Sequence, residues 1–147
     1  MGSPLMLPRE ALKGGEHRRL STPECEFLFR RLREGALLVT VTGYDRGDLG
    51  TSPLDELRME LLRYKPLDLF FDARSATAAV RVSNEWTRFF TTHRADLKRV
   101  SILVINKTMN LTMSIAQHLS GTGNLIHIYT DPALFDARVA ECQSGAQ

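Results

Sequence analysis

The sequence is short of the residues from which metal and redox sites are built. Of its 147 residues only Cys25 and Cys142 are cysteines, and they lie near opposite ends of the chain. No CxxC or Cys/His pairing accompanies them, so neither a zinc site nor a redox pair is suggested, and two free thiols fit a reducing compartment. His17, His93, His118 and His127 show no i, i+4 pairing with one another or with a cysteine. Long apolar runs are missing as well, and none approaches the roughly 20 residues of a membrane-spanning helix. Pro4 and Pro8 interrupt the first stretch, which lacks the layout of a signal peptide. Charge of one sign is also scarce. A formal net charge of +2 falls short of the concentrated basic face that nucleic-acid binding requires. The short clusters His17-Arg18-Arg19 and Arg30-Arg31 with Arg33 read as solvated surface charge. These absences predict a cytoplasmic protein with no metal, no cofactor, no nucleic-acid partner and no transmembrane segment.

What is present is ordinary globular material, 43% apolar and 24% charged, in a chain of one-domain length. Residues 1–24 carry Pro, Gly-Gly and mixed charge without periodicity and read as a flexible tail. A domain is expected over 25–141, with a short tail over 142–147. Phe27, Phe29 and Leu32 mark a first strand, Glu34-Gly35 a tight turn, and Ala36 to Thr42 a second strand closed by Gly43. Ser52 and Pro53 then suit the N-cap and first position of a helix with Leu54, Leu57, Leu61 and Leu62 inward, ended by Pro66. The run Leu67 to Phe71 is a buried strand ending on Asp72. A polar loop follows, and Ser83 reads as the N-cap of a second helix facing inward with Trp86, Phe89, Phe90 and Leu97. Val100 to Ile105 is another buried strand. Asn110 to Gly121 reads as a third helix, Leu125 to Tyr129 as the last strand, and Asp131-Pro132 opens a final helix packed through Leu134, Phe135 and Val139. The order β-β-α-β-α-β-α-β-α predicts an α/β fold, a central mainly parallel sheet covered by helices.

No catalytic set emerges from this order. The loop Gly43 to Ser52 is glycine-bearing but has no P-loop lysine before Thr51, and Asp45 and Asp48 would repel a phosphate. Asp68, Asp72 and Asp131 fall near strand ends without a nucleophile, base and orienting group between them. Trp86, Phe89 and Phe90 are core residues by spacing, and part of that cluster could border an apolar pocket.

The landmarks LVTVTG, PLDELRMELL, LFFD, VSILVIN and LIHIYTDPALFDARV, in this order, resemble the STAS domain of sulfate transporters and anti-sigma factor antagonists. The resemblance spans about Glu26 to Glu141. It implies a non-enzymatic bacterial signalling module acting by protein–protein contact, with a regulatory kinase or sigma-factor regulator as partner and a partner-switching pathway as setting. In family members that act as phospho-switches, a DSxG-like motif at the start of the second helix carries the phosphorylated serine. Here that place falls at Val80 to Asn84, where Ser83 is the one hydroxyl, without the preceding Asp or following Gly. Ser83 is thus the candidate phosphosite, and Asp72, Ser75, Thr77, Arg81, Arg88 and Arg94 are the candidate partner-binding residues. The alternative is a small-molecule or lipid site between the second helix and the sheet. The first hairpin offers a sheet edge on which a homodimer could form.

Overall fold

A computed structural model describes residues 17–105 and 124–145. Among these residues six strands form one sheet in the order β1-β2-β3-β4-β5-β6, which is also chain order. They are β1 His17–Thr22, β2 Cys25–Arg33, β3 Ala36–Asp45, β4 Leu67–Ala78, β5 Leu97–Val104 and β6 Ile126–Tyr129. The first three strands pair antiparallel, and β3 through β6 pair parallel. Helix α1 (Ser52–Arg63) joins β3 to β4, α2 (Val80–Thr92) joins β4 to β5, and α3 (Pro132–Gln143) follows β6. The helix expected over Asn110 to Gly121 lies outside the described residues.

Alternation along the central strands divides the core. Phe27, Phe29, Val39, Leu69, Phe71 and Ile102 point to one face, where Leu57 and Leu61 of α1 and Trp86 and Phe90 of α2 cover them. Ala36, Phe70 and Leu103 point to the other, where Phe135 and Cys142 of α3 cover them. Both faces of β4 are therefore buried, which explains its continuous apolar run. The Asp131 side chain caps α3 by accepting from the Ala133 N–H at 2.9 Å, as the Asp-Pro pair predicts.

Several boundaries differ from the sequence reading. Among the described residues the sheet already includes His17–Thr22 rather than beginning after residue 24, because β1 pairs with β2 along that length. Arg18 is buried there against Glu56 of α1 at 3.0 Å, so the charge that looked solvated is an internal ion pair. β1 also occupies the edge of β2 on which a homodimer was conceivable. At the other end α3 runs to Gln143 with Cys142 buried, so the tail does not begin at 142. Thr51 rather than Ser52 is the N-cap of α1, and its hydroxyl donates to Asp55 at 3.1 Å. Leu62, 80% exposed, and Leu134, 60% exposed, face solvent instead of the core. Leu97 opens β5 rather than closing the stripe of α2.

Two polar groups are enclosed on the α3 face of the sheet. Asp68 is 5% exposed and Ser101 fully buried, and neither Asp68 Oδ1 nor Ser101 Oγ has a hydrogen-bond partner among the described residues. Burial pushes the Asp68 carboxyl above the usual carboxylate range, although Arg99, Lys98, Arg138 and Arg33 pull the other way. A carboxyl whose folded pKa is raised holds its proton in the fold after the unfolded chain has lost it. Stability therefore falls as pH rises from the usual carboxylate value through the folded one. Asp68→Asn is expected to stabilise the protein at pH 7 and to bring no gain near pH 3, measured by urea unfolding at both. An equal effect at the two pH values would show that Asp68 ionises freely.

Candidate functional site

The C-terminal end of the parallel strands is where α/β sheets place functional groups, because strand ends and helix N-termini meet there. Here that end is built by β3, β4 and the start of α2. β4 does not stop at Asp72. It continues to Ala78, parallel to β3 as far as Asp45, with a shift of register between Thr40/Asp72 and Thr42/Ser75. The bulge puts an extra residue into β4, so that Ala73 and Ala76 both face α2. The expected polar loop is thus mostly strand.

The chain turns directly from β4 into α2. Ala79 is the N-cap, extended at φ −62° and ψ 148°, and makes no side-chain cap. Its N–H donates to the Asp45 carbonyl at 2.9 Å, which fixes where the helix begins. Ser83 is therefore not the cap. It lies within the first turn, its N–H bonded to the Ala79 carbonyl at 3.1 Å, and is 6% exposed. Its own carbonyl accepts from the Thr87 hydroxyl at 3.0 Å. Ser83 and Thr77 border a cavity of about 40 Å³ between α2 and the sheet. The rest of that lining is largely apolar and includes Phe27, Phe71, Trp86 and Phe90. Trp86 packs within this lining, stacked on Phe27 at 6.0 Å and edge-on to Phe71 at 4.7 Å. The remaining volume suits a few water molecules, far below the roughly 300–1,000 Å³ of a metabolite pocket.

Asp45 stands at the polar end of this cavity. From sequence it reads only as a loop acid that would repel a phosphate. It is 7% exposed and accepts the Gly47 N–H at 2.9 Å. Burial raises its pKa, with the Gly47 hydrogen bond opposing. Through its side chain it shapes the loop before α1, and through its carbonyl it seats α2. The Asp-x-Gly spacing in Tyr44-Asp45-Arg46-Gly47 was the available signal.

Outside the cavity lies a larger groove of about 340 Å³ between that loop and α2. Gly47, Gly50, Thr51, Leu54 and Arg58 line one side. Arg81, Glu85, Arg88 and Thr92, a stripe at helical spacing, line the other with Phe89 and His93. Arg81 donates to the Arg46 carbonyl at 2.8 Å and meets Glu85 at 3.3 Å. Arg58 pairs with Asp55 at 2.7 Å and lies over the Phe89 ring at 5.4 Å, while the His93 ring approaches Phe89 at 4.4 Å. Arg88 makes no hydrogen bond or ion pair with the described residues, and it is exposed. Val80, next to Arg81 at the start of α2, is 57% exposed, and Tyr44, beside Asp45 near the end of β3, is 45% exposed.

Of the residues named from sequence, the structure brings Arg81 and Arg88 together along this groove. Asp72 belongs elsewhere, ion-paired with Arg74, which also reaches Asp136 of α3. Ser75 is exposed on β4, and Arg94 is exposed in a short 3-10 turn, Arg94–Asp96, beyond the end of α2. Arg58 and Gly47 were not singled out, because their place in the groove depends on the packing of α1 and its preceding loop against α2. Both thiols are buried, with Cys25 pushed up to about 12 by burial and by Asp45, Asp48 and Glu26. Burial also raises Cys142. Among the described residues no group of His, Cys, Asp and Glu is placed to hold a metal ion, and no helix is long and apolar enough to cross a membrane.

No family model matches the chain, and no curated protein matches it in sequence. A solved structure does: an anti-sigma factor antagonist from Mycobacterium paratuberculosis, 14% identical, with a TM-score of 0.52. The match covers 82% of this chain and 99% of that one. The likeness in three dimensions agrees with the resemblance, and the chain has a STAS-like α/β fold.

Proposed function

We propose that the chain is a non-enzymatic regulatory module that docks a protein partner on the rim formed by Tyr44, Val80 and the outer face of α2. The observation that carries this reading is the exposure of Val80 at the head of the Arg81 and Arg88 stripe. The Ala79 N–H bond to the Asp45 carbonyl brings the start of α2 alongside the end of β3, so the backbones of Val80 and Tyr44 lie close together. An apolar centre with arginines around it has the make-up of a protein interface. The likeness to an anti-sigma factor antagonist supports a regulatory kinase or sigma-factor regulator as partner, in a cytoplasmic partner-switching pathway. Docking in this reading needs no phosphoryl group on Ser83, whose burial would require the first turn of α2 to open before a kinase could reach it. A lipid or metabolite beneath α2 is the weaker reading, since the cavity there holds only about 40 Å³.

A photo-crosslinking residue at Val80, in protein expressed in its own cell, is expected to give a discrete protein adduct. The same residue at Leu134, exposed on α3, is the control. Adducts that are identical at the two positions, or absent at both Val80 and Tyr44, would remove the rim from the account. Intact mass of the same samples is expected to show Ser83 unmodified, and a phosphoryl found there would restore the switch.

A further inference from the structure

We infer that the groove between the Gly47–Thr51 loop and α2 receives acidic side chains from an extended segment of the partner, one beside Arg81 and one beside Arg88. The inference rests on the docking reading above and names the chemistry of what docks. Three arginines, Arg58, Arg81 and Arg88, line the groove against a single acid, Glu85. Two of them are already held in place. Arg58 is fixed by Asp55 and the Phe89 ring, and Arg81 by the Arg46 carbonyl and, at 3.3 Å, by Glu85. Gly47 makes the second of these possible, since a Cβ there would stand 2.6 Å from Arg81 Nη2. A guanidinium positioned before binding loses little side-chain freedom on meeting a carboxylate, and its planar fork suits two oxygens. Arg88 has no counter-ion among the described residues, so it offers its whole charge to an incoming anion.

The spacing says more about the occupant than the charge does. Arg81 and Arg88 lie on one stripe, two helical turns apart, about 10 Å along the axis. Glu85 stands between them on the same stripe. A single small anion centred in the groove would meet the Glu85 carboxylate. Two carboxylates about 10 Å apart would flank it, one on each arginine. An extended acidic segment meets that requirement better than a free ion.

The test uses a defined probe, the capped peptide Glu-Pro-Pro-Glu-Pro-Pro-Glu. Its polyproline conformation, about 3.1 Å per residue, places successive carboxylates about 9 Å apart along one edge. It is titrated into the isotope-labelled full chain while amide resonances are followed, with inorganic phosphate titrated in parallel. Saturable shifts are expected at Gly47, Gly50, Arg81 and Arg88, with affinity reduced about tenfold or more by Arg88→Gln and by replacing the peptide's Glu with Gln. Glu85→Gln is expected to tighten binding. The groove substitutions are on exposed or half-buried side chains, so retained spectral dispersion separates lost binding from lost folding. The inference is overturned by shifts spread equally over Arg30, Lys98 and Arg99, or by no shifts at all. Phosphate binding as tightly as the peptide would overturn it too, making the groove a small-anion site. If the peptide fails while Val80 still crosslinks a partner, docking stands and its acidic chemistry falls. If the peptide binds and Val80 captures nothing, the rim falls and the groove stands.

Discussion

Gly43→Ala is expected to cost about 3 kcal/mol, a large part of the roughly 5–15 kcal/mol that holds a domain folded. Gly43 lies inside β3 at φ +90°, a conformation that side chains rarely adopt. A Cβ there would sit 2.1 Å from the Glu24 carbonyl oxygen and 3.2 Å from the Cys25 Cα. Both obstacles are backbone, so no rotamer change relieves them. The Glu24 carbonyl also accepts the Tyr44 N–H at 2.8 Å, which holds the β1–β2 turn against β3 at that point. Displacing Glu24 would loosen this bond and the start of β2, whose Cys25 is in register with Gly43. Gly50→Ala is the control, because Gly50 also has positive φ, +60°, but nothing within 4 Å of its added Cβ. It should cost only about 1 kcal/mol. Urea unfolding of the two variants beside the parent measures the difference. Equal losses would mean that strain in φ dominates and that the Glu24 contact yields freely.

How the sequence relates to this fold is clearest where elements depend on their own residues. Ala36 to Thr42, Leu67 to Phe71 and Val100 to Val104 are apolar enough to demand burial on both faces, and Asp131-Pro132 carries its cap within itself. The antiparallel turn at Gly35, φ +83°, is equally local. The elements that escaped are held by distant partners. β1 is hidden because Arg18 becomes an inward residue only once Glu56 of α1 is beside it. The second half of β4, Arg74 to Ala78, is small and polar, and is a strand only because Thr42 to Asp45 pair with it. The start of α2 is set by the Asp45 carbonyl, not by any hydroxyl near it, so Ser83 was a reasonable but mistaken cap.

The candidate site divides in the same way. Arg81 and Arg88 could be read as one face of a helix, since their spacing is a property of α2 alone. Arg58, Gly47 and Asp45 join them through the packing of α1 and its loop, which no local pattern encodes. Asp72 was drawn toward the site by its place after an apolar run, yet alternation points it to the α3 face, where Arg74 holds it.

The other large effect is expected from the buried pair of Arg31 and Glu60. Arg31 of β2 donates from Nε to Glu60 Oε2 at 2.8 Å and from Nη2 to Oε1 at 2.9 Å, a two-pronged contact with α1. Its guanidinium also lies over the Tyr64 ring at 4.9 Å. Both side chains are buried, about 6% and 5% exposed. Glu56, one turn earlier on the same helix face, forms a buried ion pair with Arg18 at 3.0 Å, so two ion pairs fasten α1 to the antiparallel end of the sheet. Arg31→Met removes the charge while keeping much of the side-chain volume, and leaves the Glu60 carboxylate buried without its partner. The expected loss is about 3–5 kcal/mol. Replacing both, as Arg31→Met with Glu60→Leu, removes the stranded charge together with the pair and should return stability to within about 1 kcal/mol of the parent. The exposed pair Arg58 and Asp55, also on α1, gives the contrast, since breaking it should change stability by less than about 1 kcal/mol. Urea midpoints for the single and double variants decide the matter. If Arg31→Met alone costs under about 1 kcal/mol, water reaches Glu60 and the pair is not an internal one. If the double variant is as weak as the single, the pair contributes geometry between β2 and α1 that apolar packing does not replace, and the attachment of α1 depends on the charges themselves.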